Sequence, residues 1–199
     1  MEADAVLNCE HTRLMLATKR DEEGAFDALV RSVRNRAFHV AFGLVGSRDD
    51  AMDMAQEALM KTYRARATFR EGEPFLPWFH RILRNTCFSF LRKSRRLKKV
   101  SLSASEDDES DWEIADDGPG PETAIESNDT KQLFWSALQT LSARDREILV
   151  LRHYQDLPYK TIADVMACPV GTVMSRLFHA RRRLRDKLSP HLETAGSPS

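Results

Sequence analysis

Glycine and proline are scarce, with eight of each in 199 residues, and the three cysteines Cys9, Cys87 and Cys168 lie far apart. The first shortage excludes collagen-like and mucin-like classes. An odd, widely spaced cysteine set argues against a disulfide framework and fits a reducing cytoplasm. No window approaches the ~18 uninterrupted apolar residues of a spanning helix. The opening MEADAVLNCEHTR has acids before any basic residue and no apolar stretch of a secretory leader. The chain is therefore expected to stay in the compartment where it is made. Catalytic signatures are also missing. The histidines 11, 39, 80, 153, 179 and 191 show no HExxH and no close Cys/His spacing, and no glycine-rich phosphate loop occurs. Carboxylates are densest in a polar block too loose to hold rigid metal ligands. The expectation is no catalytic residue, no metal, no cofactor and no small-molecule substrate.

What is present is charge, and it is sorted. Lys+Arg and Asp+Glu each number 30, for a net charge of zero. Residues 1–100 nevertheless hold 19 basic and 13 acidic side chains (+6), residues 101–129 none and 11 (−11), and residues 130–199 hold 11 and 6 (+5). The acidic block SLSASEDDESDWEIADDGPGPE cannot bury enough apolar surface to offset its ordering entropy, so it reads as a solvated, flexible linker. Trp112 and Ile114 inside it hint at a docking segment. The chain thus divides into an N-terminal arm (1–20), a basic module (21–100), the linker (101–129), a second basic module (130–189) and a tail (190–199).

In the first module, Phe26, Leu29, Val30, Val33, Ala37, Val40, Ala41 and Leu44 recur at steps of three and four, the stripe of an amphipathic helix that stops near Gly43 to Gly46. Ser47 with Asp50 three residues on offers a capped start for a second helix, DDAMDMAQEALMKTYRARA, whose core stripe of Ala51, Ala55, Ala58 and Leu59 leaves Asp53, Gln56 and Glu57 on another face. Pro77 suits the first turn of a third helix, WFHRILRNTCFSFLRKSRRLKK, which grows steadily more basic toward its end. That run exceeds what answering the helix dipole requires and reads as a phosphate-binding surface. Trp78 and Phe79 read as core. Phe69 and Phe75 are less tied to a helix, so they are either core or platforms for an unpaired base.

The second module is helical throughout. KQLFWSALQTL is followed by a helix opened by Ser142 and Asp145, then by one near Pro158 that buries Ile162, Val165 and Met166. Cys168 before Pro169 places a turn there, with a last helix from about Val170. Val173, Leu177, Ala180, Leu184 and Leu188 form its core stripe, leaving Met174, Ser175, Phe178, His179, Arg181, Arg182 and Arg185 facing elsewhere. Two short helices about a tight turn, the second with an outward basic face, are the layout of a helix-turn-helix. A helix about 10–12 Å across fits the ~12 Å major groove, where early side chains meet base edges and later arginines meet phosphates. The fold class is all-α: two small helical domains on a flexible acidic linker, the C-terminal one with a helix-turn-helix.

These segments resemble the extracytoplasmic-function group of sigma factors, the minimal bacterial transcription initiation factors. FDALVRSVRNRAFHVAFGLVGSRDDAMDMAQEALMKTYR and FLPWFHRILRN, within residues 26–96, are similar to that family's region two. TLSARDREILVLRHYQDLPYKTIADVMACPVGTVMSRLFHARRRLRDKL, residues 140–188, is similar to region four. The resemblance implies that Asp53, Gln56 and Glu57 bind the clamp helices of RNA polymerase core. It implies that Arg81, Arg84 and Asn85 act in melting and reading the minus-ten promoter element. It also implies that Met174, Ser175, Arg176, Phe178, His179 and Arg181 read the minus-thirty-five element. An anti-sigma partner, in the cytoplasm or holding the chain at a membrane, is a further implication. Family members often read DAEDLVQE where this chain has Met52 and Met54, and Glu where it has Thr161. The rival reading is a free-standing dimer that binds operator DNA through the same helix-turn-helix.

Overall fold

The computed structural model describes residues 2–101 and 129–195. The proposed linker, with Trp112 and Ile114, falls mostly outside them. Among the described residues there is no strand. Eight α-helices follow one another: α1 (Glu2–Lys19), α2 (Ala25–Val45), α3 (Arg48–Arg64), α4 (Phe75–Ser101), α5 (Asp129–Gln139), α6 (Ala143–Leu149), α7 (Tyr159–Met166) and α8 (Val170–Ala195). A 3-10 turn occupies Arg66–Thr68, and a π-helical segment, Val150–Tyr154, prolongs α6.

Local chemistry sets most of these boundaries. Gly46, at φ 85°, ends α2, and its N–H donates to the Phe42 carbonyl. Ser47 then caps α3, its Oγ accepting from the Asp50 N–H at 3.3 Å. Ser142 accepts from the Asp145 N–H at 3.2 Å, and its hydroxyl donates to the Asp145 carboxylate at 3.0 Å. These are the caps expected from the two Ser-x-x-Asp strings, each satisfying a backbone donor that a helix start leaves open. Pro77 lies in the first turn of α4, and Pro158 directly precedes α7.

The stripes seen in sequence form the core. Leu29, Val33, Ala37, Val40, Ala41 and Leu44 of α2 pack with Ala51, Ala55, Ala58 and Leu59 of α3 and with Phe75, Phe79, Leu83 and Cys87 of α4. The segment expected as an arm forms the separate helix α1. It buries Met15 and His11, and Thr12 Oγ1 accepts from the Phe75 N–H at 3.0 Å. Phe69 and Phe75 are fully buried. Phe75 stacks on Phe79 with centroids 5.5 Å apart, and Phe69 meets Trp78 edge-on at 5.1 Å. The core alternative therefore holds for both rings, and neither offers a face to a base.

In the second module Leu138, Ile148, Leu149, Ile162, Val165, Val173, Leu177 and Ala180 form the centre. Its α6 packs on α2 and its α7 on α4, so the two modules share one continuous apolar cluster. The last helix continues through Ala195, beyond the boundary at 189.

Candidate protein and nucleic-acid interfaces

Three surfaces collect the residues singled out in sequence. On α3, Asp53, Gln56 and Glu57 share a side because residues three and four apart are neighbours on a helix. Asp53 and Gln56 are exposed, and Glu57 is half-buried. Lys61 Nζ lies 3.3 Å from Glu57 Oε1 and donates to Thr86 Oγ1 of α4 at 3.3 Å. With Met54, Met60, Phe90 and Lys93 these residues line a groove of about 560 Å³ between α3 and α4. Met52 and Met60 stand 58% and 43% exposed beside the acids. Flexible thioethers next to carboxylates make a mixed apolar and anionic surface suited to another protein rather than to a polyanion.

The second surface is on α4. Arg81 and Asn85 are exposed and Arg84 is half-buried. The structure brings them onto one side of the helix, yet two of the three are already engaged. Arg81 Nε donates to the Asp164 carbonyl of α7 at 2.8 Å, and Arg84 Nε donates to Glu147 Oε1 of α6 at 2.5 Å. The Arg84 guanidinium also lies 4.9 Å from the Phe88 ring centroid. Farther along, Arg92, Lys93, Arg95 and Arg96 are exposed and continue the basic stripe.

The third surface is α8, placed across a tight turn from α7. Ala167 closes α7 in the left-handed region at φ 50°, ψ 50°, and Cys168 and Pro169 lead into Val170. Met174 and Phe178 are 55% and 64% exposed, while Ser175, His179, Arg181 and Arg182 also face solvent. Arg182 lies four residues from Phe178 and seven from Ser175, so helical periodicity puts it on this face although it was not among the residues assigned by resemblance. Arg181 Nε donates to His153 Nε2 at 3.0 Å, and burial together with the Arg181 and Arg152 charges holds the His153 ring below its ordinary pKa, as an acceptor. Arg176 lies elsewhere. It is half-buried on the flank of α8, within electrostatic reach of Glu147.

Glu147 is the least expected group. Its side chain is 2% exposed, and burial pushes the carboxyl up to about 7 despite the guanidiniums of Arg84, Arg176 and Arg144. Its Oε2 has no hydrogen-bond partner among the described residues. Burial likewise pushes the Cys87 thiol up to about 12, which leaves it a small apolar core residue rather than a nucleophile. No group of three or more His, Cys, Asp or Glu among the described residues is placed to hold a metal ion. No described helix is long and apolar enough to cross a membrane.

Residues 29–97 match the Sigma-70 region 2 family and residues 131–184 match Sigma-70 region 4. The RNA polymerase sigma-H factor of Pseudomonas aeruginosa is 34% identical over 186 residues, covering 92% of this chain and 96% of that protein. The chain belongs to the sigma-70 family, in its extracytoplasmic-function group. The group's sigma-E factor from Escherichia coli K12 is 32% identical over 180 residues, covering 89% of this chain and 93% of that protein. Among solved structures, the sigma factor RpoE in complex with the anti-sigma factor NepR from Bartonella quintana covers 83% of this sigma factor and 98% of its own chain, with TM-score 0.67 and 29% identity. CnrH in complex with the cytosolic domain of CnrY shares the fold at TM-score 0.59 and 21% identity. In this sigma factor the α3 and α4 surfaces belong to region 2 and the α8 surface to region 4.

Proposed function

We infer that this sigma factor associates with RNA polymerase core and directs it to specific promoters, with α3 docking on the polymerase, α4 acting at the minus-ten element and α8 reading the minus-thirty-five element. The observation that carries this reading is the pair of modules, region 2 before region 4, over nearly the whole length of the relatives. A lone operator-binding dimer has no use for the first module, so that rival is set aside. The mixed methionine and carboxylate surface of Asp53, Gln56 and Glu57 suits a protein partner. Arg81, Arg84, Asn85 and the basic end of α4 suit phosphates and exposed bases. Met174, Ser175, Phe178, His179 and Arg181 present apolar, hydroxyl, imidazole and guanidinium groups at groove-facing spacing, with Arg176 at the margin and Arg182 beside them.

The chain acts as an initiation factor, bringing no catalytic group of its own to a polymerase that performs the chemistry. It works in the cytoplasm, free or held at a membrane through an anti-sigma partner, since the solved relatives named above are seen with such partners. Two substitutions separate the surfaces. Asp53→Ala should lower retention of purified core about tenfold, equivalent to about 1.4 kcal/mol, and leave promoter preference unchanged in whatever holoenzyme forms. His179→Ala should leave core retention intact and weaken discrimination at the minus-thirty-five element. It is a cleaner probe than Arg176→Ala, which also changes the field at buried Glu147. Core retention indifferent to Asp53→Ala would remove the α3 assignment.

A further inference from the structure

The π-helical segment that prolongs α6 carries His153, a solvent-facing residue to which no role has been given. The wide turn is closed by the Gln155 N–H, which donates to the Val150 carbonyl five residues back at 3.0 Å. Such turns shift the register of the helix they interrupt and recur at functional sites. The shifted register presents His153 to α8, where its Nε2 lies 3.0 Å from Arg181 Nε. A guanidinium has N–H donors and no acceptor, so Nε2 must be the bare nitrogen of an uncharged ring whose proton sits on Nδ1. Protonating the ring makes Nε2 a second donor and removes the bond.

Arg181 lies seven residues from Met174 and three from Phe178, on the same outward stripe of α8. Its bond to His153 uses Nε and leaves the two terminal nitrogens, the fork that grips a guanine edge or a phosphate, for a ligand. An arginine fixed before binding loses less rotamer freedom on binding than one that hangs free. The other charges at the ring are Arg152 on its own turn and Asp156 just beyond it, which pair with each other at 2.7 Å. From α7 comes Tyr159, its ring centroid 5.5 Å from the Arg152 guanidinium, and from α2 comes His39, stacked on the neighbouring Tyr154. Burial, with the Arg181 and Arg152 charges behind it, outweighs Asp156 and favours the uncharged ring.

We propose that His153 is a positioning residue for promoter reading: its bare Nε2 holds the Arg181 side chain in the orientation that meets the minus-thirty-five element, and acid releases it. This rests on the reading of α8 as the minus-thirty-five helix. Arg181 acts on DNA directly, and His153 acts through Arg181. Protonation also adds a positive charge beside the duplex, so general affinity for DNA is kept while discrimination falls.

The test uses holoenzyme formed from the full-length chain and polymerase core. A promoter duplex competes with the same duplex carrying a scrambled minus-thirty-five element, from about pH 8 to about pH 5, the range in which histidine titrates. The parent should lose about tenfold in preference toward the acid end, the size of one lost base contact. His153→Gln, whose Oε1 is an uncharged acceptor, should hold the preference level throughout. His153→Lys, a permanent donor, should show the acid-end preference at every pH with core retention unchanged. The remaining histidines, His179 on α8 among them, are common to all three chains, so their effect cancels in the comparison. A flat profile in the parent overturns the proposal. So does a fall in His153→Gln as steep as the parent's, or a His153→Lys chain that matches the parent at the alkaline end. Arg181→Ala separates this from the reading beneath it. Full preference in that variant removes Arg181 from the minus-thirty-five interface. Lost preference there, beside an unaffected His153→Lys, leaves the α8 assignment standing and overturns the positioning role alone.

Discussion

At the scale of single residues, some of the fully buried groups are ones that sequence pattern leaves unmarked. His80 belongs to no motif in the sequence, and it is 1% exposed with neither ring nitrogen hydrogen-bonded among the described residues. Burial, aided by the Arg36 charge, lowers its pKa from the ordinary 6.5 to about 3. Between those values the unfolded chain binds a proton that the folded chain refuses, so this residue's share of stability falls as pH drops below 6.5. His80→Phe should flatten the pH dependence of unfolding there by up to about 1.4 kcal/mol per pH unit. Chemical denaturation across pH checks this, and an unchanged slope would mean the ring is protonated in the folded state. Glu147 contributes with opposite sign: its raised pKa means the folded chain keeps a proton that the unfolded one has released, so its share falls as pH rises through about 7. Phe69 shows the reverse failure of pattern reading. Flanked by Gly72 and Pro74, it lacks a helical period to mark it as core, and only the folded chain shows it under Lys19, whose Nζ donates to the Phe69 carbonyl at 2.8 Å. Phe69→Ala should cost about 3–5 kcal/mol and lower the melting temperature of the first module. Lost oligonucleotide binding with an unchanged melt would instead identify a base platform.

At the scale of elements, caps and periods were legible because they depend on neighbours within four residues. Ser47, Ser142, Pro158 and Val170 mark real boundaries, and the α2, α3 and α8 stripes are the buried faces. The π-helical segment at Val150–Tyr154 was not legible, since nothing in VLRHY distinguishes it from a continuation of α6. Packing at that segment puts Val150 against Gly43 and stacks Tyr154 on His39 at 4.8 Å. The helix-turn-helix turn was located correctly, but its conformation had no sequence signal. Ala167 occupies the left-handed region, where a Cβ costs about 1–2 kcal/mol. Ala167→Gly should relieve that strain and, after the greater freedom of unfolded glycine, stabilise the second module by about 0.5 kcal/mol. Denaturant midpoints measure this directly. A loss of stability would show that the alanine methyl group contributes packing worth more than the strain.

At the scale of the whole molecule, charge sorting marked two basic modules and an acidic connection, and the family resemblance assigned them to polymerase and promoter. How the modules meet was hidden, because the pairs Arg84 with Glu147, Arg81 with Asp164 and Leu44 with Arg146 join residues some 60 to 100 positions apart. A charged residue on a helix reads as solvated until its partner is known. The same separation explains why Arg81 and Arg84, neighbours on one side of α4 by helical spacing, gave no sign in sequence of their engagement by the second module. The central claim is that this chain finds promoters only as part of a larger enzyme. Binding of the purified chain to promoter and scrambled DNA, with and without RNA polymerase core, tests it most directly. The expected result is weak, unselective binding alone and tight, promoter-selective binding with core; selective binding by the isolated chain, or no gain on adding core, would contradict it.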